Sequence, residues 1–357
     1  MIEIRHFKLI DTISKVGSLK KAAEKLFLTQ SALSHQLKEL ETYLGIQIFY
    51  RTSNQLQFTQ AGKEFRDGGK EILEHLDQLE SRIQQISQHQ LKNYIHGYSL
   101  EETKRLNDQA TTISEILHWD SKWDDGSLIL EAACGVGAQT RIISSKNPNS
   151  KFVAIDLSEK SLTIASQLID ELKINNVEFR QADIFNLPFE DEIFDHIFAC
   201  FILEHVRKPD LALKELKRVL KTNGTITVIE GDHGSTYFFP ESDAAMRAVQ
   251  AQVTLQKQNG GNANVGRQLY PMLTDAGFSN VIASPRQVYV DDSKPDMVEN
   301  FIKNTFTAMI KGVSEEAISK QIITKNEMDA GIKDLYRTGE GGGAFFYTFI
   351  KATGYKE

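Results

Sequence analysis

The sequence predicts an α/β protein in two parts: a small, mainly helical head and a larger body built on a mainly parallel sheet. Apolar residues recur at helical spacing through residues 1–92. From about residue 128 onward, short apolar strands alternate with helices, which predicts a parallel sheet covered on both faces. The length of 357 residues is consistent with about two domains.

The composition excludes several classes of protein. Hydrophobic residues make up 41% of the chain and charged residues 25%, as in ordinary globular proteins. Two cysteines exclude a disulfide scaffold and a multi-cysteine metal site, and no other metal cluster is indicated. The longest apolar run, 197–203, is far shorter than the roughly 20 residues of a membrane helix, and no leader is evident. We therefore expect a soluble, cytoplasmic protein without membrane association.

The net charge of −7 is unevenly distributed. Residues 1–63 carry nine Lys/Arg against five Asp/Glu, a net charge of +4. Residues 64–98 have a net charge of −2 and residues 99–357 a net charge of −9. A basic head on an acidic body weakly indicates that the head meets a polyanion.

Three short helices and a hairpin are predicted in residues 1–63. A first helix is indicated by apolar residues at steps of three, namely Ile4, Phe7, Ile10 and Ile13. After the break at Gly17, the small residues Ala22 and Ala23 predict a second helix that another helix can approach closely. Two short strands, 46–49 and 56–58, then predict a wing.

The third helix, capped by Thr29 and ended by Gly45, has a polar face. Two helices joined by a tight turn, the second of them polar, are typical of a helix-turn-helix. Short polar side chains on such a helix reach base edges, whereas Lys38 and Arg51 suit phosphates. The polar face consists of Gln30, Ser31, Ser34, His35 and Lys38. Periodicity alone leaves open a small structural bundle with a solvated polar face.

The segments GSLKKAAEKLFLTQSALSHQLKELETYLGIQIFYRT and QFTQAG resemble the winged helix-turn-helix of LysR-type transcription regulators, in particular the methionine-regulator branch. The resemblance covers about 65 residues. It implies that residues 1–63 bind double-stranded DNA. The implied DNA contacts are Gln30, Ser31, Ser34, His35 and Lys38, with Arg51 on the DNA backbone.

A heptad seam follows in residues 64–92, which predict a long linker helix. The seam runs through Phe65, Gly69, Ile72, Leu76, Leu79, Ile83 and Ile86. LysR-type regulators dimerise through such a helix, so the resemblance implies a homodimer. The alternative is that the seam packs on its own chain. The two-lobed effector domain usual in that family does not follow here.

In the body, acidic residues follow the ends of successive predicted strands, where ligands bind on parallel sheets. Glu131 is followed by the glycine turn 134–137, and Asp156 ends the next strand, well placed for two ribose hydroxyls. Asp183 follows a third strand. The glycine turn by itself is also compatible with NAD. It lacks the third glycine of the dinucleotide fingerprint, however, and that fingerprint has no third-strand aspartate.

The segments ILEAACGVGAQT, VAIDLS, VEFRQADIFNLPFEDEIFDHIFACFILEHV and LKRVLKTNGTITVIEGD resemble class I S-adenosylmethionine-dependent methyltransferases of the ubiquinone/menaquinone-biosynthesis-like group. The resemblance implies a Rossmann-like seven-stranded methyltransferase domain over residues 94–357, with S-adenosyl-L-methionine as cofactor. Ala133 stands where the family usually has its first glycine, and we expect the methyl group to be tolerated. The implied cofactor contacts are Tyr98, Arg105, Gln109, Glu131, Gly135, Gly137, Asp156, Leu157, Asp183, Ile184 and Cys200.

Two segments, 232–266 and 291–338, are predicted to be helical insertions that form a lid and an acceptor pocket. The polar candidates in this pocket are Asp232, His233, Tyr237 and Arg267. Methyl transfer depends mainly on in-line positioning, and a base is needed only if the acceptor loses a proton. His205 and His233 are the candidate catalytic bases, since histidine titrates near neutrality. A structural hydrogen bond is the alternative role for each. Cys134 and Cys200 are interpreted as packing residues.

The favoured hypothesis is a small-molecule methyltransferase whose DNA-binding head also regulates transcription. One alternative is a non-catalytic regulator that senses S-adenosylmethionine or S-adenosylhomocysteine; another is a protein-modifying methyltransferase recruited to promoters. DNA itself is disfavoured as the acceptor, because residues 200–203 lack the Pro-Pro-aromatic loop of amino-methylating DNA enzymes and no Pro-Cys pair is present.

Overall fold

The computed structural model forms two compact units, Met1–Gln88 and His89–Glu357. The predicted finer boundaries at residues 63, 92 and 94 stay predictions. Within the described part of the chain, no helix combines the length and the apolar character that crossing a membrane requires. The structure describes residues 2–26, 28–52, 55–73, 75 and 100–357.

The first unit consists of four helices and a hairpin. Thr29 caps the third helix by accepting the amide of Ala32 at 3.1 Å, and Gly45 ends it in the left-handed conformation. The hairpin strands pair in register from Phe49 with Phe58. The elements are α1 (Ile4–Val16), α2 (Leu19–Lys25), α3 (Gln30–Leu44), β1 (Phe49–Thr52), β2 (Gln55–Phe58) and α4 (60–73).

The core of this unit corrects the predicted face of α1. Ile10 and Ile13 are buried as expected, but Ile4 is 47% exposed, while His6 and Leu9 are buried. A helix turns 100° per residue, so a strict step of three drifts off one face, and the inward stripe follows steps of three and four instead. The buried core residues are Leu9, Ile10, Ile13, Ala22, Ala23, Leu33, Leu37, Leu40, Ile48 and Phe49.

Helix α4 packs closely on α1. The rings of Phe7 and Phe65 stack at 5.0 Å, and a methyl group on Gly69 would lie 2.8 Å from the Phe7 ring. The first seam position therefore contacts its own chain, and Gly69 marks a close crossing. Ile72 is 46% exposed. The remaining seam residues, Leu76, Leu79, Ile83 and Ile86, lie outside the described residues, and homodimerisation stays a prediction.

The second unit is built on one seven-stranded sheet, as predicted. Its order is β5-β4-β3-β6-β7-β9-β8, parallel except for β9, which runs antiparallel to both neighbours. A helix connects β3 to β4, β4 to β5 and β6 to β7, as a parallel connection requires. The strands are β3 (Leu128–Ala132), β4 (Lys151–Asp156), β5 (Val177–Gln181), β6 (Phe194–Cys200), β7 (Leu220–Phe239), β8 (Ser279–Asp291) and β9 (Ala344–Tyr355).

Helices cover both faces of this sheet. They are α5 (Leu100–His118), α6 (Thr140–Lys146), α7 (Glu159–Glu171), α8 (Pro209–Val219), α9 (Asp243–Gln258) and α10 (Leu269–Asp275), preceded by a 3₁₀ turn (Val265–Gln268). After β8 come α11 (Pro295–Met297), a π-helix (Val298–Thr307), α12 (Ala308–Gly312), α13 (Ser314–Ser319) and α14 (Lys325–Arg337).

The two predicted insertions, 232–266 and 291–338, were expected to be helical lids. The structure places part of the first insertion in the sheet and the helices of both in the hydrophobic core. Residues 232–239 continue β7, which pairs with β9 up to Phe239 and Ala344. Helix α9 and the π-helix contribute Leu255, Phe301 and Phe306 to the same buried cluster as Phe198 of the sheet. The inserted helices are therefore part of the hydrophobic core on this face of the sheet.

Candidate cofactor and acceptor site

Two glycines of the turn after β3 differ in their surroundings: Gly135 faces open space, and Gly137 packs tightly against α7. Gly135 has φ of 53°, and a methyl group built there would meet no atom within 4 Å. Gly137 has φ of 79°, and a methyl group there would lie 3.0 Å from Cβ of Ala165 on α7. Gly135 therefore leaves a clear surface for a ligand, whereas Gly137 allows α7 to approach the turn.

Ala133, in the same turn, has φ of 59° and so occupies the left-handed region that favours glycine. The expected tolerance of its methyl group thus comes with a conformational cost of about 1 kcal/mol.

Asp156 connects the end of β4 to this turn. Its Oδ2 accepts the amide of Gly135 at 2.9 Å, and its Oδ1 accepts the amide of Ser158 at 2.8 Å. Burial raises the pKa of the carboxyl group, and the amide donors oppose that shift. Each oxygen keeps acceptor capacity for a further donor, such as a ribose hydroxyl.

Glu131 is buried at the end of β3. By distance and angle, its Oε2 has no hydrogen-bond partner among the described residues, although the Thr140 hydroxyl lies nearby. Burial raises the pKa of the carboxyl group to about 8; the Thr140 hydroxyl opposes this shift and the charge of Asp156 adds to it. An orphaned buried acceptor next to the open space at Gly135 fits a bound cationic donor, because an unpaired buried polar atom is costly. The amino group of the implied cofactor is such a donor.

The predicted adenine end lies at the same edge of the sheet. Oδ1 of the half-buried Asp183 accepts the amide of Phe185 at 3.0 Å, and Ile184 is buried. The carbonyl of Leu157 accepts the side chain of Gln181 at 2.8 Å. Because Asp156 and Gln181 are register partners in β4 and β5, these residues lie side by side across the strand ends.

Helix α5 packs over the glycine turn. Leu106 and Ala110 contact Val136 and Ala138. Arg105 and Gln109, one helical turn apart and half-buried, are joined by a hydrogen bond of 3.0 Å from the guanidinium to the amide oxygen. Tyr98, predicted to contact the cofactor, lies outside the described residues.

Cys200 lies at the end of β6 and is buried. Burial raises the pKa of its thiol well above the ordinary value, and the carboxylates of Glu230, Glu131 and Glu204 add to that shift. The thiol is therefore protonated and unreactive. Cys200 interacts electrostatically with all three carboxylates. It therefore lies near both the proposed cofactor site, which includes Glu131, and a second acidic centre, formed by Glu204 and Glu230.

The second acidic centre, formed by Glu204 and Glu230, was not predicted from the sequence. Glu230 is fully buried, and Glu204 is 8% exposed in the loop after β6. Burial raises the pKa of Glu230 well above its ordinary value, and the nearby Glu204 adds to the shift. The available signal was the same that identified Glu131 and Asp156, since Glu230 is an acid at the end of a predicted apolar strand.

The two candidate bases lie near this centre. His233 is buried, with Nδ1 2.9 Å from the hydroxyl of Tyr347 and Nε2 3.4 Å from Sδ of Met309. Burial lowers the pKa of His233, so the imidazole is neutral. It sits where the pairing of β7 with β9 is irregular, between residues 232 and 237. Nε2 of His205 lies 3.6 Å from Oε1 of Glu204.

The other polar candidates of the acceptor pocket are placed differently. Asp232 and Arg267 form an ion pair, with N–O distances of 2.7 to 3.0 Å. Tyr237 is 67% exposed. In the part of the chain that is described, no group of three or more His, Cys, Asp or Glu side chains is arranged to hold a metal ion.

In the first unit, the polar face of α3 is largely accessible. Ser31, His35 and Lys38 are exposed and Ser34 is half-buried. These positions are three or four residues apart and so share one helical face. The side chains of Gln30 and Arg51 lie outside the described residues. Glu41, on another face, accepts the amide of Ile48 at 2.8 Å and holds the hairpin against α3.

Comparison with known proteins identifies both parts. Residues 124–277 match the family model described as a methyltransferase domain, and residues 4–63 match that of the bacterial regulatory helix-turn-helix protein, lysR family. An uncharacterized methyltransferase of Schizosaccharomyces pombe is 30% identical over 195 residues, which cover 52% of this chain and 67% of that protein.

Two further relatives each match one part. The HTH-type transcriptional regulator MetR of Buchnera aphidicola is 47% identical over 73 residues, 20% of this chain and 23% of that protein. The ubiquinone/menaquinone biosynthesis C-methyltransferase UbiE of Hahella chejuensis is 36% identical over 107 residues, 29% of this chain and 43% of that protein. The chain thus spans less than half the length of either protein. It belongs to the class I methyltransferases, whose cofactor is S-adenosylmethionine, and it joins to that domain a LysR-type helix-turn-helix.

Proposed function

We propose that the protein transfers a methyl group from S-adenosylmethionine to a small-molecule acceptor and that its amino-terminal domain binds double-stranded DNA to regulate transcription. The observation that carries the enzymatic part is the set formed by Glu131, Gly135 and Asp156. It combines an orphaned buried acceptor, a turn with open space, and a carboxylate aligned by that turn.

Each of these residues has a distinct part in holding the cofactor. Glu131 binds the amino group of the methionine portion, and Asp156 accepts hydrogen bonds from the ribose hydroxyls. Asp183 accepts from the adenine amino group, with Leu157 and Ile184 beside the ring. Arg105 and Gln109 cover the site from α5, and Tyr98 completes the proposed cofactor contacts. When bound, the cofactor supplies a methyl group activated by a positively charged sulfur.

The surroundings of His233 support a small acceptor. The buried rings of Phe306 and Tyr347 lie next to this imidazole, with centroids 6.3 and 5.6 Å away. These buried aromatic surroundings favour a small molecule over a polymer as the acceptor. The neutral imidazole of His233 takes the acceptor's proton where one is lost, and His205 is the second candidate base.

The DNA-binding part rests on α3. Ser31 and Ser34 lie where they can contact base edges, and Lys38 where it can contact phosphate. His35 shares this exposed face, and Gln30 and Arg51 complete the proposed contacts. The 47% identity over 73 residues to a transcriptional regulator supports this assignment. The heptad seam of residues 64–92 supports a homodimer that presents two such helices.

Two measurements on the full chain test this proposal. Calorimetry with S-adenosylmethionine and S-adenosylhomocysteine is expected to show binding of both, and labelled methyl groups are expected to reach a small molecule. Absence of heat with either ligand on folded protein would overturn the enzymatic part. DNA selected from random sequence is then titrated with and without cofactor. An affinity that depends on cofactor, together with no methyl transfer, would favour a sensor instead.

A further inference from the structure

The acidic centre next to Cys200 has a defined geometry. Oε1 of Glu230 accepts the amides of Ile202 and Leu203 at 3.0 and 2.7 Å, so β7 and the loop after β6 hold this carboxyl group in place. Its Oε2 has no hydrogen-bond partner among the described residues. Glu204 follows in the same loop, and its Oε2 accepts the side-chain amide of Gln256 at 3.1 Å.

A second buried acceptor without a hydrogen-bond partner among the described residues lies close to the same acidic centre. Gln252 on α9 is fully buried and donates from Nε2 to Oε1 of Gln256 at 2.8 Å. Oε1 of Gln252 has no partner within the described ranges. Both orphaned atoms are therefore acceptors. Hydrogen bonds through Gln256 connect Gln252 to Glu204, and the charge of Glu204 acts on the nearby Glu230.

No lysine or arginine balances the two carboxyl groups from within the described residues. The ion pair found there is that of Glu204 with His205, at 3.6 Å, and no Lys or Arg side chain lies within ion-pair distance of Glu204 or Glu230. Buried carboxyl groups without a cation are costly unless they are protonated or a ligand supplies the charge.

The centre adjoins the proposed cofactor site. Glu131 pairs with Phe198 in the sheet, and Cys200 pairs with Ile229, the residue before Glu230. Cys200 interacts electrostatically with Glu131, Glu204 and Glu230 alike. Phe198 in turn pairs with Thr227 of β7, so Glu230 lies two strands from Glu131 and three residues further along β7.

We propose that Glu204, Glu230 and Gln252 bind the nitrogen of the methyl acceptor, and that this acceptor is a small amine. This inference rests on the proposed methyltransferase function and extends it to a substrate class. An ammonium group supplies three N–H donors and a positive charge, which matches two buried acceptors without partners and carboxyl groups without a Lys or Arg partner among the described residues. A hydroxyl group supplies one donor and no charge.

A carboxylate of this centre can take up the proton that the nitrogen loses. When the nitrogen is methylated, an N–C bond forms and the methyl–sulfur bond breaks. The sulfur keeps the electron pair of that bond as a neutral thioether, and one proton leaves the nitrogen. An ammonium group has no lone pair, so it first passes one proton to the carboxylate of Glu230, whose pKa is raised by burial, and the neutral amine then attacks the methyl group.

The test uses the full chain, with and without saturating S-adenosylhomocysteine, and two matched pairs of probes: methylamine with methanol, and benzylamine with benzyl alcohol. Saturation-transfer NMR measures binding of each probe. We expect at least one amine to bind about tenfold more tightly than its alcohol, since a hydrogen bond to a charged group is worth about that factor. Amines that bind no more tightly than the alcohols would overturn the inference.

Three variants locate the binding. Glu230→Gln keeps a carbonyl oxygen for the amides of Ile202 and Leu203 and replaces the orphaned acceptor with a donor, so amine affinity is expected to fall about tenfold. Gln252→Leu is expected to cost about threefold. Glu190→Gln, at an exposed loop position, is the matched control and is expected to leave the affinity unchanged. Circular dichroism checks folding; if Glu230→Gln does not fold, Gln252→Leu decides.

Two results separate this inference from the function on which it rests. Heat with S-adenosylhomocysteine but no preference for amines would overturn only the substrate class. A preference for amines that Glu230→Gln abolishes, without any heat from S-adenosylhomocysteine, would support the amine site and overturn the methyltransferase proposal. Amine binding that survives both Glu230→Gln and Gln252→Leu would overturn the assignment of the site.

Discussion

The carboxylate of Asp156 accepts the backbone amide of Gly135 at 2.9 Å, so the acid that ends β4 orients the turn that follows β3. The residue proposed to bind ribose therefore also shapes the surface over which the cofactor lies. Ligand affinity and turn geometry should consequently change together when Asp156 is altered.

We expect Asp156→Ala to lower the affinity for S-adenosylhomocysteine by at least 100-fold, because it removes the ribose acceptor and frees the glycine turn. Calorimetry measures the change. Asp170→Ala, at an exposed position on α7, is the control and should bind normally. DNA affinity measured without cofactor should stay the same in both variants. Normal cofactor affinity in Asp156→Ala would contradict the proposed site.

Ala133→Gly should stabilise the protein by about 0.5 to 1 kcal/mol. Glycine removes the strain of φ 59°, and the gain is reduced by the larger conformational entropy of the unfolded chain. Urea denaturation provides the measurement. The reciprocal control is Gly126→Ala, at φ 83° with open space around it, which should destabilise by a similar amount. Equal stability of Ala133→Gly and the parent would show that the turn accommodates alanine without strain.

The stability of the second unit should depend on pH through Glu131. Its pKa is about 8 in the folded protein, against an ordinary value of 4.5. Between these values the folded state binds more protons than the unfolded state, so this group's contribution to stability declines as pH rises from about 4.5 to 8. Glu131→Gln should flatten that decline in urea denaturation from pH 5 to 8. Glu171→Gln, exposed at the end of α7, should retain the slope of the parent.

Lys38→Ala should weaken DNA binding about equally for different DNA sequences and should reduce the slope of log affinity against log salt by about one. Fluorescence anisotropy at several salt concentrations measures both effects. Lys15→Ala removes an equal charge from α1 and should leave the slope unchanged, because Lys15 is paired with Asp11. A Lys38→Ala slope identical to that of the parent would mean that α3 does not dock as proposed.

Prediction from the sequence succeeded where local signals were strong. The Thr29 cap and Gly45 end defined α3, and the strands ending at Glu131 and Asp156 had continuous apolar patterns. Prediction failed on the inward face of α1, where His6 and Leu9 replace Ile4. It also failed on the length of β7, whose extension to Phe239 depends on pairing with β9, more than 100 residues later. Helical drift and long-range pairing leave little trace in a short window of sequence.

The sequence alone determined the two-part organisation and the positions of Glu131, Gly135, Asp156 and Asp183 at strand ends, because caps, turns and apolar runs are local properties of the chain. Only the tertiary structure revealed that Glu230 and Gln252 carry buried acceptors without hydrogen-bond partners, Glu230 near Glu204 and Gln252 linked to Glu204 through Gln256. Glu230 and Gln252 come from β7 and α9, and an unpaired buried atom is defined by its neighbours in space, which spacing along the chain does not specify.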